Sequence, residues 1–140
     1  MIENGWHTTQ TRVRYKDTDR MGVVYYGNYL TFFEIGRAEY MRALGYPYAE
    51  LEGKGSVLAV IEASAKYHAN VGYDELITVK TSVADIGRVK LRFDYEIYSD
   101  DNTLLVTGYT VHACVNIDRK PSRIPKALAD TVKAQETRQN

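Results

Sequence analysis

The chain has 140 residues, 44% apolar and 26% charged, which suits one globular domain over residues 1–140 that buries roughly 65–70% of its unfolded surface. Its 18 basic and 18 acidic side chains cancel, so net charge gives no signal for nucleic acid or for an anionic membrane surface. The single cysteine, Cys114, excludes an internal disulfide, and no apolar run approaches the ~20 residues of a spanning helix.

Residues 1–10 are polar and small and read as a loose lead-in. The stretch TQTRVRYKDT then alternates, with Thr11, Val13 and Tyr15 on one face and Arg12, Arg14 and Lys16 on the other. A period of two predicts a half-exposed strand. DTDRMG is turn chemistry. A helix is expected from about Asn28, whose amide can cap the first turn, to Leu44. Leu30, Phe33, Arg37, Tyr40, Met41 and Leu44 recur at helical spacing, and Phe32, Ile35, Gly36 and Ala38 fill much of the remaining circumference. Such a helix is buried on most sides. Gly45 suits a left-handed cap, and Pro47 follows where the helix cannot continue.

YPYAELEGKG reads as a short helical turn and loop. Four strands follow: one around Val57–Tyr67, then LITVKTSVADIG, RVKLRFDYEIYS and LLVTGYTVHACVNID, with DDNT as a hairpin turn between the last two. RKPSRIP breaks the final strand, and KALADTVKAQ closes the chain as a short polar helix. About five antiparallel strands beside one long helix make an α+β domain. A helix with almost no solvent face needs a curled sheet or a second subunit to cover it, which points to an oligomer.

Common catalytic motifs are absent: no Gly-rich phosphate loop, no Gly-x-Ser-x-Gly and no His-Glu-x-x-His. His7, His68 and His112 have no second ligand at metal spacing, so no metal is expected. His112, inside the last strand, and Cys114 two residues on read as core residues. Twelve tyrosines against three phenylalanines suit half-wet cavities and subunit interfaces, or simply strand propensity. What remains is the approach to the helix. Asp17 and Asp19 precede a segment with Gly22 and Gly27, and the first turn of a helix presents unpaired N–H groups. A carboxylate beside such donors can drive acyl transfer, the donors holding the tetrahedral oxygen. The two aspartates can equally do no more than shape a turn.

The segment YKDTDRMGVVYYGNYLTFFEIGRAEYMRALG resembles the signature of the 4-hydroxybenzoyl-CoA thioesterase and YbgC-like branch of the hotdog-fold acyl-CoA thioesterases. Tyr15, Asp17, Thr18, Asp19, Gly22, Val24, Tyr25, Asn28, Tyr29, Glu34 and Arg37 fall into that family's pattern. YHANVGYDELITVKTSV and RKPSRIP resemble its later segments more weakly, so the likeness spans about residues 11–127. It implies a hotdog fold, an antiparallel sheet wrapped around one long helix, in dimers that pair again into homotetramers, with active sites between subunits. It implies an acyl-CoA thioesterase without metal or redox cofactor. Asp19 is then nucleophile or general base, and the backbone N–H of Tyr26 is the oxyanion donor. Gly22, Val24 and Asn28 line the substrate, and Asp17 bonds the turn. Coenzyme A carries phosphates, so Arg88, Lys90 and Arg123 are expected either to meet them at the pocket rim or to serve only as solvated charges at a strand edge. Glu34 and Arg37 form a pair that fixes the helix against the partner.

One departure stands out: Tyr26 occupies the place where YbgC-like members commonly carry a histidine that assists catalysis. The expected partners are an acyl-CoA or an acyl-carrier-protein thioester, with no nucleic acid and no membrane span. A reducing cytoplasm is the expected compartment, since no signal peptide opens the chain. Two other activities fit the same fold: a thioester-binding module without hydrolysis, and a hydratase or dehydratase. The second needs a proton shuttle, often histidine, which is missing between Asp19 and Leu44.

Overall fold

The computed structural model describes residues 2–137. Its strands are β1 (Ile2–Glu3), β2 (Trp6–Arg12), β3 (Val57–Tyr67), β4 (Leu76–Ile86), β5 (Lys90–Ser99) and β6 (Leu104–Val115). The helices are α1 (Tyr29–Ala43), α2 (Tyr48–Gly53) and α3 (Lys126–Thr137). All six strands form one sheet in the order β1-β2-β4-β5-β6-β3, each pair antiparallel. Strands β4, β5 and β6 are a meander, whereas β3 crosses to the far edge and pairs with β6 alone.

The sheet has six strands, not five, and the difference lies at the N-terminus. Residues 2–12, expected in most part as a lead-in, form β1 and β2 because β4 offers β2 a partner from Leu76 to Ser82. The alternation through Val13 and Tyr15 continues past the end of that ladder. Val13 is buried, but beyond it Arg14 N–H donates to Asp17 Oδ2 (2.8 Å) and closes a 3-10 turn over Tyr15–Asp17. Side-chain periodicity survived where the backbone partner ran out.

Helix α1 lies across the sheet, mainly over β4 and β2. Phe33 stacks on Tyr95 at 4.3 Å, and Tyr40 meets Phe93 edge-on at 5.9 Å. Gly36 sets the closeness of the approach: a Cβ there would stand 2.4 Å from Thr81 Oγ1. The helix ends in the expected left-handed glycine. Gly45 has φ +86°, Gly45 N–H donates to Arg42 O, and Tyr46 N–H donates to Met41 O. It is less enclosed than expected, because Leu30, Thr31, Glu34 and Arg42 form an exposed strip. Conversely, α3 is more than a polar tail. Leu128 and Val132, four residues apart, are fully buried, which contributes roughly 1.5–3 kcal/mol each to holding α3 in place.

His112 is a satisfied core histidine. Leu58 O can only accept, so the ring donates to it from Nδ1 (3.2 Å), and Nε2 accepts from the Thr110 hydroxyl (2.8 Å). Thr110 Oγ1 in turn takes the proton of the Tyr95 hydroxyl (2.6 Å). Burial pushes the His112 pKa down to about 4. The unfolded chain therefore binds the proton first, and stability is complete above about pH 6.5 and declines as pH falls toward 4, by roughly 3 kcal/mol. Urea unfolding at pH 7, 5 and 4 checks this, with His112→Gln expected to show a correspondingly flatter profile.

Candidate active site

Residues 17–25 form a small hairpin. Tyr25 N–H donates to Asp17 O (2.9 Å), Thr18 and Val24 form an antiparallel bridge, and Asp19 N–H donates to Val23 O (2.9 Å). The tip turns over Asp19–Gly22, where Gly22 N–H donates to Asp19 O (3.0 Å) and Gly22 takes φ +80°. A Cβ at Gly22 would meet nothing within 4 Å, so the glycine serves backbone conformation and not space. The hairpin is fastened to the segment before β4 by Val24 N–H donating to Val71 O and by a Val23–Gly72 bridge.

The two aspartates separate cleanly. Asp17 is buried, and its carboxylate accepts from Arg14 N–H and from Lys16 Nζ (3.3 Å). Its carbonyl collects Tyr25 N–H and the side-chain amide of Asn28 (2.9 Å). Asp17 thus ties the hairpin to the helix entrance. Asp19 is exposed at the tip, with Oδ1 accepting from Met21 N–H (2.8 Å) and Oδ2 without a partner among the described residues.

The chain enters α1 through a 3-10 turn, Tyr26–Asn28. Asn28 does not cap the helix as expected: its backbone is already α-helical, with φ −75° and ψ −14°, and its amide is committed to Asp17. Asn28 N–H donates to Tyr25 O (2.8 Å). Among the described residues, neither Tyr26 N–H nor Gly27 N–H has a backbone acceptor. The helix entrance therefore presents two unengaged donors on the arm that follows Asp19's hairpin.

Tyrosines crowd this end. Tyr25 and Tyr26 lie 4.6 Å apart, and Tyr67, at the end of β3, meets Tyr26 at 6.3 Å and Tyr29 at 5.6 Å. Tyr15 and Tyr73 form a further edge-on pair. The Tyr29 hydroxyl is buried, and burial pushes its pKa up to about 12, so it stays a neutral phenol. Sequence reasoning missed Tyr67. Nothing local marks it beyond a tyrosine at the end of a strand; only the fold brings it to Tyr26.

The remaining expected residues sit elsewhere. Val24 is buried in the core. Arg88, Lys90 and Arg123 are exposed at the opposite end of the sheet from Asp19: Arg12 at the end of β2 opposes Leu76, whereas Arg88 follows β4 and Lys90 starts β5. Arg88 and Arg123 share a cavity of about 220 Å³ with Lys126 and Lys133, which Lys90 does not line. Arg37 and Glu34 approach to 3.8 Å, Arg37 buried and Glu34 exposed. Cys114 is buried, and burial pushes its thiol pKa up, which suits a core residue and not a nucleophile. Among the described residues no His, Cys, Asp and Glu side chains gather into a metal site, and no helix is long and apolar enough to cross a membrane.

The family model described as the thioesterase-like superfamily matches residues 13–132. The acyl-CoA thioesterase YbgC of Haemophilus influenzae is 35% identical over 131 residues, 91% of this chain and 94% of that protein. The acyl-CoA thioester hydrolase YbgC of Shigella flexneri is 30% identical over 118 residues, 84% of this chain and 88% of that protein. Among solved structures, a DHNA-CoA thioesterase from Staphylococcus aureus superposes with a TM-score of 0.87 at 35% identity, covering 96% of this chain and 91% of its own.

Proposed function

The chain belongs to the thioesterase-like superfamily, and from that premise we propose that it is an acyl-CoA thioesterase in which Asp19 acts on a thioester carbonyl held at the entrance of α1. Its sheet around one long helix is the hotdog fold. The observation that carries the assignment of roles is the hairpin itself. It puts an exposed carboxylate with a free oxygen at its tip and leads directly into a turn with two unengaged amides.

The chemistry balances along two routes. As general base, Asp19 takes a proton from water, and the oxygen of that water adds to the thioester carbon. The oxyanion accepts from Tyr26 N–H, then collapses, breaking the C–S bond, and the coenzyme A thiolate takes the proton from Asp19. As nucleophile, the carboxylate itself adds, expels the thiolate and leaves a mixed anhydride, which water then cleaves to the acid.

One protomer leaves the site open, because Asp19 lies on the surface. Among the described residues the outer edge of β3 has no partner strand, and it carries half-exposed Val57, Val60 and Ile61. A second copy added antiparallel along that edge extends the sheet and covers those side chains. It also swings the start of its own β3, with Arg88 and Arg123 at the same end of the sheet, toward the helix entrance of the first. The phosphates of coenzyme A then meet cations from the other subunit, and dimers pair into a homotetramer in the cytoplasm.

For the acyl group, the tyrosine cluster at the helix entrance and the likeness to a DHNA-CoA thioesterase favour an aromatic ring over a long alkyl chain. Tyr26, standing where related proteins commonly carry histidine, favours a second reading: a module that binds acyl-CoA or acyl-carrier-protein thioesters without hydrolysis. Thiol release from benzoyl-, naphthoyl-, short-chain and long-chain acyl-CoAs separates the two. Turnover is expected, with kcat/KM at least tenfold higher for the aromatic thioesters on the scale of ~1.4 kcal/mol per decade. Calorimetric binding with no turnover of any thioester selects the binding module.

A further inference from the structure

Both peptide planes that flank Tyr26 are pinned, and the second is pinned by a side chain from the sheet. The oxygen of the Tyr25–Tyr26 peptide accepts from Asn28 N–H (2.8 Å). The oxygen of the Tyr26–Gly27 peptide accepts from Tyr29 N–H and from the Tyr67 hydroxyl (3.2 Å). None of the described peptides is cis, so fixing that oxygen points the Gly27 N–H the opposite way. A hydrogen bond at the oxygen also polarises the amide and makes its N–H a stronger donor.

We propose that Tyr67 is a positioning residue for thioester hydrolysis: its hydroxyl fixes the Tyr26–Gly27 peptide so that Gly27 N–H joins Tyr26 N–H in facing the carbonyl at the entrance of α1. The proposal rests on the reading of that entrance as the oxyanion site. Tyr67 is well placed for the task because it ends a strand and does not sit in a loop. It opposes Val106 on β6, and the next two residues, His68 and Ala69, both donate from N–H to Leu105 O (2.7 and 3.2 Å). The phenol therefore reaches the turn from rigid sheet. Its ring leans on Tyr26 and on the buried Tyr29, which fixes the direction of the hydroxyl. Oxyanion donors contribute most when they need no reorganisation during reaction; the bonds of Tyr25 N–H and the Asn28 amide to Asp17 O hold the two ends of the turn, and the Tyr67 hydroxyl adds a bond from the sheet to the Tyr26–Gly27 peptide itself.

Tyr67→Phe tests this, since it keeps both ring contacts and removes one hydroxyl from a half-exposed position. With the best acyl-CoA from the panel, kcat is expected to fall roughly tenfold, short of the ~100-fold or more for loss of a whole oxyanion donor. KM should stay within about twofold, since the bond aims the transition-state donors and adds no ground-state binding. Coenzyme A affinity by calorimetry and the melting temperature should match wild type. A kcat within twofold of wild type overturns the proposal. So does a raised KM with unchanged kcat, which would make Tyr67 a substrate contact. Failure of the underlying function shows differently, as wild type that turns over no acyl-CoA or Asp19→Asn that keeps full rate, and either result overturns both.

Discussion

Asp19→Asn is expected to lower kcat at least ~100-fold, the scale of a lost catalytic carboxylate, while the fold stays as stable as wild type to within about 0.5 kcal/mol. The contrast follows from how the side chain is held. Asp19 is exposed, and among the described residues its side chain makes one bond, Oδ1 accepting from Met21 N–H. Asparagine has the same shape and keeps a carbonyl oxygen for that bond, so the turn over Asp19–Gly22 persists. What it loses is the negative charge and the lone pairs that attack carbon or take a proton from water. Thiol-release kinetics beside urea unfolding of the same samples measure both halves. A variant with more than a tenth of wild-type rate would mean that Asp19 only shapes the turn and that the chemistry lies elsewhere.

Gly108→Val is expected to destabilise the protein by about 3 kcal/mol, the upper end for overpacking a core. Gly108 lies in β6 between Ala65 of β3 and Tyr95 of β5. A Cβ there would stand 2.4 Å from Ser64 O and 2.7 Å from the Phe33 ring. The ring could turn only by breaking its stack on Tyr95, and the carbonyl belongs to the strand ladder, so neither gives way cheaply. The strain falls where α1 rests on the sheet next to the proposed subunit edge. Gly53→Ala is the control, since a Cβ there meets nothing within 4 Å, and it should be neutral or slightly stabilising. Urea midpoints at constant slope report the two changes. A loss under about 1 kcal/mol for Gly108→Val would mean that β3 or Phe33 shifts freely, contrary to the tight packing described.

Much of the molecule was legible in the chain because its signals are local. Gly45 stopped α1 where a left-handed residue was needed, and DDNT turned β5 into β6. Alternation marked the strands from Leu76 onward, and the α+β class followed. The errors came where a partner decides. Residues 2–8 have no strong alternation of their own, yet Ile2–Glu3 and the start of β2 are strand because β4 is there to pair with β2, and β2 with β1. Asn28 looked like a cap, but a nearby carbonyl, Asp17 O, took its amide. KALADTVKAQ looked polar, yet two apolar residues four apart suffice to dock a helix once the sheet supplies a surface.

The candidate site divides along the same line. That two carboxylates, a pair of glycines and a helix start follow one another within a dozen residues is a property of the sequence alone, and it was enough to mark the segment; the resemblance to the hotdog thioesterases is what pointed to Asp19 and Tyr26 within it. Which aspartate is free could only be decided in three dimensions. Asp17 and Asp19 are the same residue type two positions apart, and their roles diverge because the hairpin turns one inward onto Arg14 N–H and leaves the other at the tip. Tyr67, forty-one residues from Tyr26, enters for the same reason. Turn chemistry and periodicity act over a few bonds and are written in neighbouring residues, whereas hydrogen bonds across the sheet depend on register, and register is settled only when the strands have found one another.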